Sequence, residues 1–309
     1  MAEPFENVIR AISSADEPLT AATMYRLSDI NSEDLGKLQA AWGAIPVERR
    51  LVLVQRLGEI AEMNFDMNFS AVIRLALTDL NAELREAAID ATWIDESPDM
   101  LNRLLPLTRD MSDAVRASAV AALGRYILLG ELGKFDAGLT RLAQNVARRL
   151  YADAAQPISV RRRALESLSN CSDPDVHSMI DESYAHSDAA MRISAMFAMG
   201  RSCDSVWAPI VLRELDSADP EMRYEAARTA GELELRDAVP ALARIINDDD
   251  REVQEMAIWA LGEIGGTRCQ RLLEDLIEQA EADEDDGLVE AIEEALNAAS
   301  LVGEGLIED

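Results

Sequence analysis

Hydrophobic positions from about residue 70 onward follow one repeated pattern. Six segments read as an apolar residue, Arg or Gln, two variable residues, Ala, two variable residues, a small residue and an apolar or small residue. The spacing of the second position is 31 residues four times and 45 residues once; this position is held by Arg85, Arg116, Arg161, Arg192, Arg223 and Gln254. A sequence period of this length predicts an array of similar supersecondary units.

Each unit is predicted to be a helix, a short acidic turn and a second helix. In the segment "MRYEAARTAGEL", Met222, Ala226, Thr229, Ala230 and Leu233 fall on one face at 100° per residue, which is the face expected in the core. Capping residues before prolines mark helix starts, at Ser97-Pro98, Asp173-Pro174 and Asp219-Pro220. Neither helix of a unit can bury its apolar stripe alone, so stacked neighbours complete the core. The pattern predicts an all-α protein, an α-solenoid over residues 70–309.

The first part of the chain, residues 1–69, is helical in pattern but outside this register. The stretches "SEDLGKLQAAW" and "PVERRLVLVQRLGEIAEMN" predict two amphipathic helices. Terminal units of solenoids are atypical because one of their faces meets water. We therefore expect an N-terminal helical cap; the alternative is a separate partner-binding element.

Two repeats carry a resemblance to a known family. The stretches "DPEMRYEAARTAGELE" and "DDDREVQEMAIWALGEIGG" resemble HEAT repeats, specifically the short bacterial, phycobilisome-lyase-like type, and the resemblance extends over roughly residues 70–300. It implies an α-solenoid, and a function among scaffolds, chaperone-like adaptors and a few enzymes. A bacterial origin follows from the same resemblance.

Composition restricts the partners. The formal net charge is -29, so the surface repels phosphate backbones and anionic lipids, and we expect no nucleic-acid or membrane partner. The chain starts with no basic, apolar leader and has no apolar run long enough to span a bilayer, which predicts a cytoplasmic protein. The oligomeric state is left open by the sequence.

Few residues suit catalysis or metal binding. The three cysteines lie far apart, and only His177 and His186 could supply imidazole, which argues against a disulfide framework or a zinc site. Cys171 and His177 are close in sequence but have no recognisable orienting group. Iron-dependent hydroxylases built on HEAT-like repeats need several His-Glu pairs, and this chain has no His-Glu dipeptide. We therefore predict no catalytic residue, no metal, no cofactor and no enzymatic activity, with a lyase-like activity left open.

The recurring Arg is predicted to be structural. It lies at the edge of the core face, where a guanidinium can reach a turn carbonyl or an Asp of a turn, such as Asp79, Asp110 or Asp248. An Arg shared by five periods is better explained as a ladder between repeats than as five catalytic groups.

Two positions of the second helix point away from the core, toward a concave surface if these helices line it. Aromatic and Arg residues, which dominate protein-protein hot spots, collect there in the later repeats. The predicted partner-binding residues are Ile193, Phe197, Tyr224, Arg228 and Trp259, together with Arg162 of an earlier repeat. The alternative is that the rings fold sideways and fill gaps between helices.

Two charged stretches and a set of glycines have competing interpretations. Arg161, Arg162 and Arg163, with Arg148 and Arg149, form either a local anion or acidic-peptide site or a set of ion pairs with surrounding acids. The acidic tract over residues 278–287 is expected to be a solvated loop. Glycines recur at the tenth position of four segments, where they allow close helix approach or a helix end.

The sequence therefore predicts a scaffold or adaptor that binds a protein or peptide partner on the concave groove of an acidic α-solenoid. The alternative, implied by the resemblance, is a phycobilin-lyase-like chromophore-binding protein or chaperone. Such a protein needs a groove that can shelter a tetrapyrrole, with Arg or acidic groups for its propionates and pyrrole nitrogens.

Overall fold

The protein is all-α. The computed structural model describes residues 4–14, 17–282 and 284–304, and no β-strand occurs within these ranges. The predicted fold class is confirmed: helix follows helix, and pairs of helices stack in succession. The chain divides into two compact units, Met1–Leu168 and Ser169–Asp309.

Unit 1 contains ten α-helices within its described residues. They are α1 (Phe5–Ser13), α2 (Ala21–Tyr25), α3 (Ser32–Trp42), α4 (Val47–Met63), α5 (Ser70–Ala76), α6 (Ala82–Asp90), α7 (Pro98–Leu107), α8 (Asp113–Glu131), α9 (Ala137–Ala152) and α10 (Ile158–Leu168).

Unit 2 contains eight α-helices and two 3₁₀ turns within its described residues. They are α11 (Pro174–Tyr184), α12 (Ala189–Arg201), the turn Ser205–Trp207, α13 (Ala208–Glu214), α14 (Pro220–Glu232), the turn Arg236–Ala238, α15 (Val239–Ile245), α16 (Arg251–Ile264), α17 (Gly266–Ala282) and α18 (Asp286–Glu304).

The predicted helix starts are confirmed by their capping bonds. The side chains of Ser97, Asp173 and Asp219 each accept a hydrogen bond of 3.0–3.2 Å from a backbone N–H two or three residues later. In each case a proline follows at the first helical position, where its missing N–H leaves no donor unsatisfied.

The core of unit 2 lies where α12, α14, α16 and α18 pack against one another in order. On α14, Met222, Ala226, Thr229 and Ala230 are buried as predicted, and Leu233 is half-buried. The Thr229 hydroxyl is fully buried and donates to a carbonyl of α12 at 2.9 Å. A polar residue is tolerated there because its hydrogen bond is made.

The glycines at the tenth segment position allow close helix approach. A Cβ added at Gly262 would lie 2.9 Å from the backbone of Ala295 in α18, and one at Gly231 would lie 3.0 Å from the Cα of Ala260 in α16. These helices touch backbone to backbone, so any larger residue would push them apart.

The long period of 45 residues has a simple structural cause. Helix α8 is extended to 19 residues and α9 to 16 residues, and both pack against α10. The extra chain therefore lengthens a helix pair rather than forming a disordered insertion, and the Ser167 hydroxyl still donates to the Val120 carbonyl of α8 at 2.7 Å.

The Arg ladder is confirmed as a structural device. Arg223 donates two hydrogen bonds to Asp248 of the next repeat, both at 2.8 Å. Arg85 does the same to Asp110, at 2.9 and 2.7 Å. Gln254 donates to the Ile246 carbonyl at 2.8 Å and accepts a bond from Arg251 of its own helix at 3.4 Å. Bidentate Arg–Asp pairs therefore connect successive repeats at Arg85 and Arg223. At other repeats the Arg has different partners: Arg116 donates to Gln156 and Asp113, and Arg192 to two turn carbonyls.

The acidic tract over residues 278–287 is largely exposed as expected, but it is not a loop throughout. Helix α17 continues to Ala282, so the first half of the tract is helical. Asp285 accepts hydrogen bonds from Arg251 at 2.6 and 3.2 Å and from the Leu288 N–H at 3.0 Å. Local helix propensity and an ion pair hold this segment in place; Asp283 lies outside the described residues.

Candidate partner-binding site

Helices α12 and α14 bring Phe197 and Arg228 into direct contact. The Arg228 guanidinium lies over the Phe197 ring, 4.2 Å from its centroid. Arg228 also donates to Glu225 at 2.7 Å and to Glu232 at 2.9 Å. Arg201 lies 6.0 Å from the same ring and 3.5 Å from Glu232. Two carboxylates therefore hold the Arg228 guanidinium over the aromatic ring, a cation–π arrangement.

The cluster around Phe197 keeps unused hydrogen-bonding capacity. Arg228 Nη2 and Glu232 Oε2 are buried and have no hydrogen-bond partner. Burial raises the pKa of Glu232, and the positive charges of Arg228 and Arg201 lower it less than burial raises it. The Glu232 carboxylate lies against Gly200, where a Cβ would collide with it. The absence of a side chain at Gly200 thus makes room for the carboxylate.

Tyr224 lines a small cavity between the N-terminal turns of α14 and α16, with α12 contributing to the same cavity. The cavity has a volume of about 150 Å³ and is lined by Ile193, Pro220, Glu221, Tyr224, Glu225, Asp250, Glu252 and Val253. All charged lining residues are acidic. Burial raises the pKa of Tyr224, with further contributions from Glu225 and Glu252, so the phenol is a neutral donor at pH 7.

Ile193 does not point outward as predicted. Its exposed fraction is 9%, and it forms part of the cavity floor beneath Tyr224. Ile193 lies on the peripheral face that its angle around the helix predicts, but the neighbouring helix covers that position. Glu166, on the same column in unit 1, is likewise buried rather than outward, at 8% exposure.

Trp259 combines the two interpretations considered for the aromatic residues. Its exposed fraction is 37%, so part of the ring is open to solvent. The ring also lies against Gly231 of α14, where a Cβ would be 2.7 Å from its Cζ3 atom. One edge of the indole fills a gap between helices, and the remainder is available for contact.

Arg162 belongs to unit 1, and its cluster is paired. The Arg162 Nε lies 3.6 Å from Glu166, and Arg163 lies 2.6 Å from the same carboxylate. Arg161 turns away and donates to the Tyr151 carbonyl at 2.9 Å. The ion-pair interpretation is therefore confirmed for Arg162 and Arg163. The role of Arg162 in partner binding stays a prediction.

The acidic rim of the Tyr224 cavity was missed in the sequence. Asp250 and Glu252 lie one repeat after Asp219 and Glu221, at the start of the next second helix. Because stacked repeats place equivalent turns side by side, comparing the first helical turns as a column would have revealed this rim.

Comparison with known proteins identifies the repeat. A family model described as HEAT repeats matches residues 208–297. The complex of CpcE and CpcF of phycocyanin lyase from Nostoc sp. PCC7120 is similar in fold, with a TM-score of 0.56 and 14% identity over 94% of this chain and 96% of that chain. The resemblance to HEAT repeats of this type is thereby supported at the level of fold.

Two curated relatives share a shorter stretch. Deoxyhypusine hydroxylase of Gallus gallus is 31% identical over 109 residues, 35% of this chain and 36% of that protein. Deoxyhypusine hydroxylase of Drosophila melanogaster is 32% identical over 114 residues, 36% of this chain and 38% of that protein. The chain thus spans just over a third of the length of the curated relatives it matches.

These relatives correct the prediction that the chain is not an enzyme. That prediction was wrong: the curated relatives are enzymes, and they are hydroxylases, the class that the lack of His-Glu pairs was taken to exclude. The described residues nevertheless do not fit a metal held by histidines and carboxylates. They contain no group of three His, Cys, Asp or Glu side chains arranged to hold an ion. The Nε2 atom of His177 lies 3.5 Å from the Asp204 carboxylate.

Among residues 4–14, 17–282 and 284–304, every helix is too short or too polar to cross a membrane.

Proposed function

We propose that this protein binds a protein or peptide partner on the face formed by α12, α14 and α16. The observation that carries the proposal is the Tyr224 cavity, which combines an apolar floor, an aromatic wall and an acidic rim. A basic side chain of a partner would place its aliphatic stem on Ile193 and Val253 and its charge among the carboxylates. We therefore expect the partner to present a Lys or Arg next to apolar residues.

The size of the cavity favours a side chain over a cofactor. Its volume is about 150 Å³. Pockets for drug-sized molecules are commonly about 300–1,000 Å³. A single long side chain fits this space, whereas a larger ligand would have to lie mostly outside it.

The aromatic and Arg residues beside the cavity would supply further contact energy. Trp259 is partly exposed, and Arg228 is already ordered on Phe197, so little side-chain entropy is lost when a partner docks there. Arg162, which lies in unit 1, is proposed separately as a partner-binding residue of that unit. Substitutions at Tyr224 and Trp259 are expected to weaken binding more than substitutions at acidic positions away from the cavity.

The test begins with affinity capture from the native cell and continues with the captured partner. Tyr224→Ala and Trp259→Ala should each weaken its affinity about tenfold or more, as expected of hot-spot residues. Tyr25→Ala is the matched control, because Tyr25 is an exposed aromatic, 46% accessible, on α2 of unit 1. Unchanged affinity in folded Tyr224 and Trp259 variants, checked by circular dichroism, would refute the proposal.

A bound partner would also be the substrate if the chain shares the relatives' activity. An enzyme that modifies a protein must first hold it, and the relatives are named hydroxylases. Mass spectrometry of the captured partner, before and after incubation with this protein, dioxygen and a reductant, would then reveal the gain of one oxygen atom, the second oxygen leaving as water. An unchanged partner mass would leave binding as the function.

Chromophore handling is the second candidate, supported by the fold shared with the phycocyanin lyase complex. It predicts a shift in the absorbance of a bilin when the purified protein is added. If the spectrum is the sum of the two components, and no bilin is transferred to an acceptor, this candidate is rejected.

A further inference from the structure

A second cavity lies in unit 1, where α7 and α9 run beside each other. Its volume is about 390 Å³, and it is lined by Asn102, Leu105, Pro106, Thr108, Arg109, Leu142, Val146 and Arg149. It shares no residue with the Tyr224 cavity. Its lining contains two arginines and no acidic residue, the reverse of the lining around Tyr224.

The two arginines of this cavity differ from those of the ladder. Arg109 and Arg149 are exposed, and neither forms an ion pair with a described residue, whereas Arg85 and Arg223 are each held by an Asp. In a chain with 58 acidic and 29 basic residues, a pair of arginines without acidic partners is a local reversal of charge. A guanidinium group that forms no ion pair keeps its N–H donors for an incoming carboxylate.

The rest of the lining is largely apolar. Leu142 is 42% exposed, Pro106 is exposed, and Val146 is buried at the base. Asn102 adds an amide at the rim. A groove between two helices that combines aliphatic side chains with flanking charges is the kind of surface that accepts one face of an amphipathic helix.

We infer that the groove between α7 and α9 binds an amphipathic helix of a protein partner that carries carboxylates beside its aliphatic face. Leu142, Pro106 and Leu105 receive the aliphatic side chains, and Arg109 and Arg149 bind the carboxylates. The net charge of -29 repels such a helix at long range. At about 0.15 M salt the screening length is about 8 Å, so the arginines at the groove outweigh the distant acids.

The inference is tested with a rhodamine-labelled amphipathic peptide that has Leu at i, i+3, i+4 and i+7 and Glu at the flanking positions. Binding to the full chain is followed by fluorescence anisotropy at about 0.15 M salt. The Glu peptide should bind more tightly than the same peptide with Gln, and a Lys version should bind most weakly. Arg109→Gln and Arg149→Gln should each weaken the Glu peptide about two- to fivefold and bring it close to the Gln peptide.

Arg141→Gln is the matched control. Arg141 lies on the same helix as Arg149, is exposed and forms no ion pair with a described residue, but it does not line the groove. Its substitution makes the same change in net charge and should leave binding unchanged. Leu142→Ser should weaken the Glu and Gln peptides alike, because it removes apolar contact only.

Several results would overturn the inference. Equal affinity for the Glu and Gln peptides, or an equal effect of Arg141→Gln and Arg149→Gln, would mean that the groove does not recognise carboxylates. Competition by inorganic phosphate at the concentration of the peptide would indicate a simple anion site. Absence of binding by the Glu peptide to a chain that is folded by circular dichroism would reject the site altogether.

Discussion

Replacing Arg223 by Gln separates two structural roles of this side chain: its bond to a turn carbonyl of its own repeat and its pair with Asp248 of the next repeat. In the native repeat, Arg223 reaches a turn carbonyl at 2.9 Å and the Asp248 carboxylate at 2.8 Å twice. The natural Gln254 shows that Gln at this position still reaches a turn carbonyl, at 2.8 Å. Arg223→Gln should therefore keep the bond within its own repeat and remove the bidentate pair to the next one.

The expected loss of stability follows from burial. The side chains of Arg223 and Asp248 are 18% and 9% exposed, so the pair is largely shielded from water. Hydrogen bonds to charged groups contribute about 1.5–3 kcal/mol, and removing one partner of a buried pair costs about 3–5 kcal/mol. Asp248 keeps its bond from the Asp250 N–H at 3.0 Å, which limits the loss. We expect the free energy of unfolding to fall by about 2–3 kcal/mol.

The same pair predicts a pH dependence with a defined sign. The hydrogen bond from Arg223 holds the pKa of Asp248 below its usual value, against the effect of burial. A carboxylate with a lowered folded-state pKa stabilises the fold fully above its unfolded pKa, about 3.9, and this contribution is lost as the pH falls through the folded pKa. The difference in stability between the native protein and Arg223→Gln should therefore narrow below about pH 4.

Urea unfolding followed by circular dichroism measures this loss, and Arg244→Gln supplies the control. Arg244 also binds an Asp across repeats, Asp216 at 2.8 Å, but these side chains are 57% and 65% exposed. Exposed pairs contribute only about 0.2–1 kcal/mol, so this variant should lose about 1 kcal/mol or less. If Arg223→Gln lowers the free energy of unfolding no more than Arg244→Gln does, burial does not strengthen the Arg–Asp pair and the reasoning fails.

Further substitutions test the packing between repeats. Gly262→Ala should lower the free energy of unfolding by about 1–3 kcal/mol, because its Cβ would lie 2.9 Å from the backbone of Ala295. Gly36→Ala, on an exposed part of α3 with nothing within 4 Å, should instead raise it by up to about 1 kcal/mol; the opposite order in urea unfolding would contradict both. Thr229→Val should cost about 1–2 kcal/mol through loss of the 2.9 Å bond to Met196, and Thr229→Ser should restore most of it.

Much of the scaffold follows from short-range patterns. The helix starts at Ser97 and Asp219 are local, because the capping bond joins residues two or three apart. The ladder could be inferred in part, since an Arg repeated at a fixed position suggests a repeated partner. Arg85 and Arg223 each bind an Asp of the next repeat, whereas Arg116 and Arg161 have other partners. The glycines repeated on the packed face gave a further signal, confirmed at Gly262.

The candidate site was predicted less completely. Position along the helix identified Tyr224 and Arg228 as peripheral, but their surroundings depend on other repeats. The acidic rim at Tyr224 comes from two successive helix starts. The cation–π contact of Arg228 requires Phe197 of the preceding repeat. The similarity to hydroxylases was likewise missed, because the lack of a His-Glu dipeptide was used to exclude a class with which the chain shares 31% identity over 109 residues.

The sequence by itself determined the period, the helices and the face of each helix, because these depend on spacing along one chain. Only the tertiary structure decided which peripheral residues are accessible, because accessibility depends on how closely the next helix approaches. Ile193 and Trp259 illustrate the difference: both lie on the outer columns, yet the first is covered beneath Tyr224 and the second is partly exposed beside Gly231. The distance between neighbouring helices is set by the small residues at their contact. Local spacing therefore predicts the direction in which a side chain points, and packing between helices determines how far that side chain is buried.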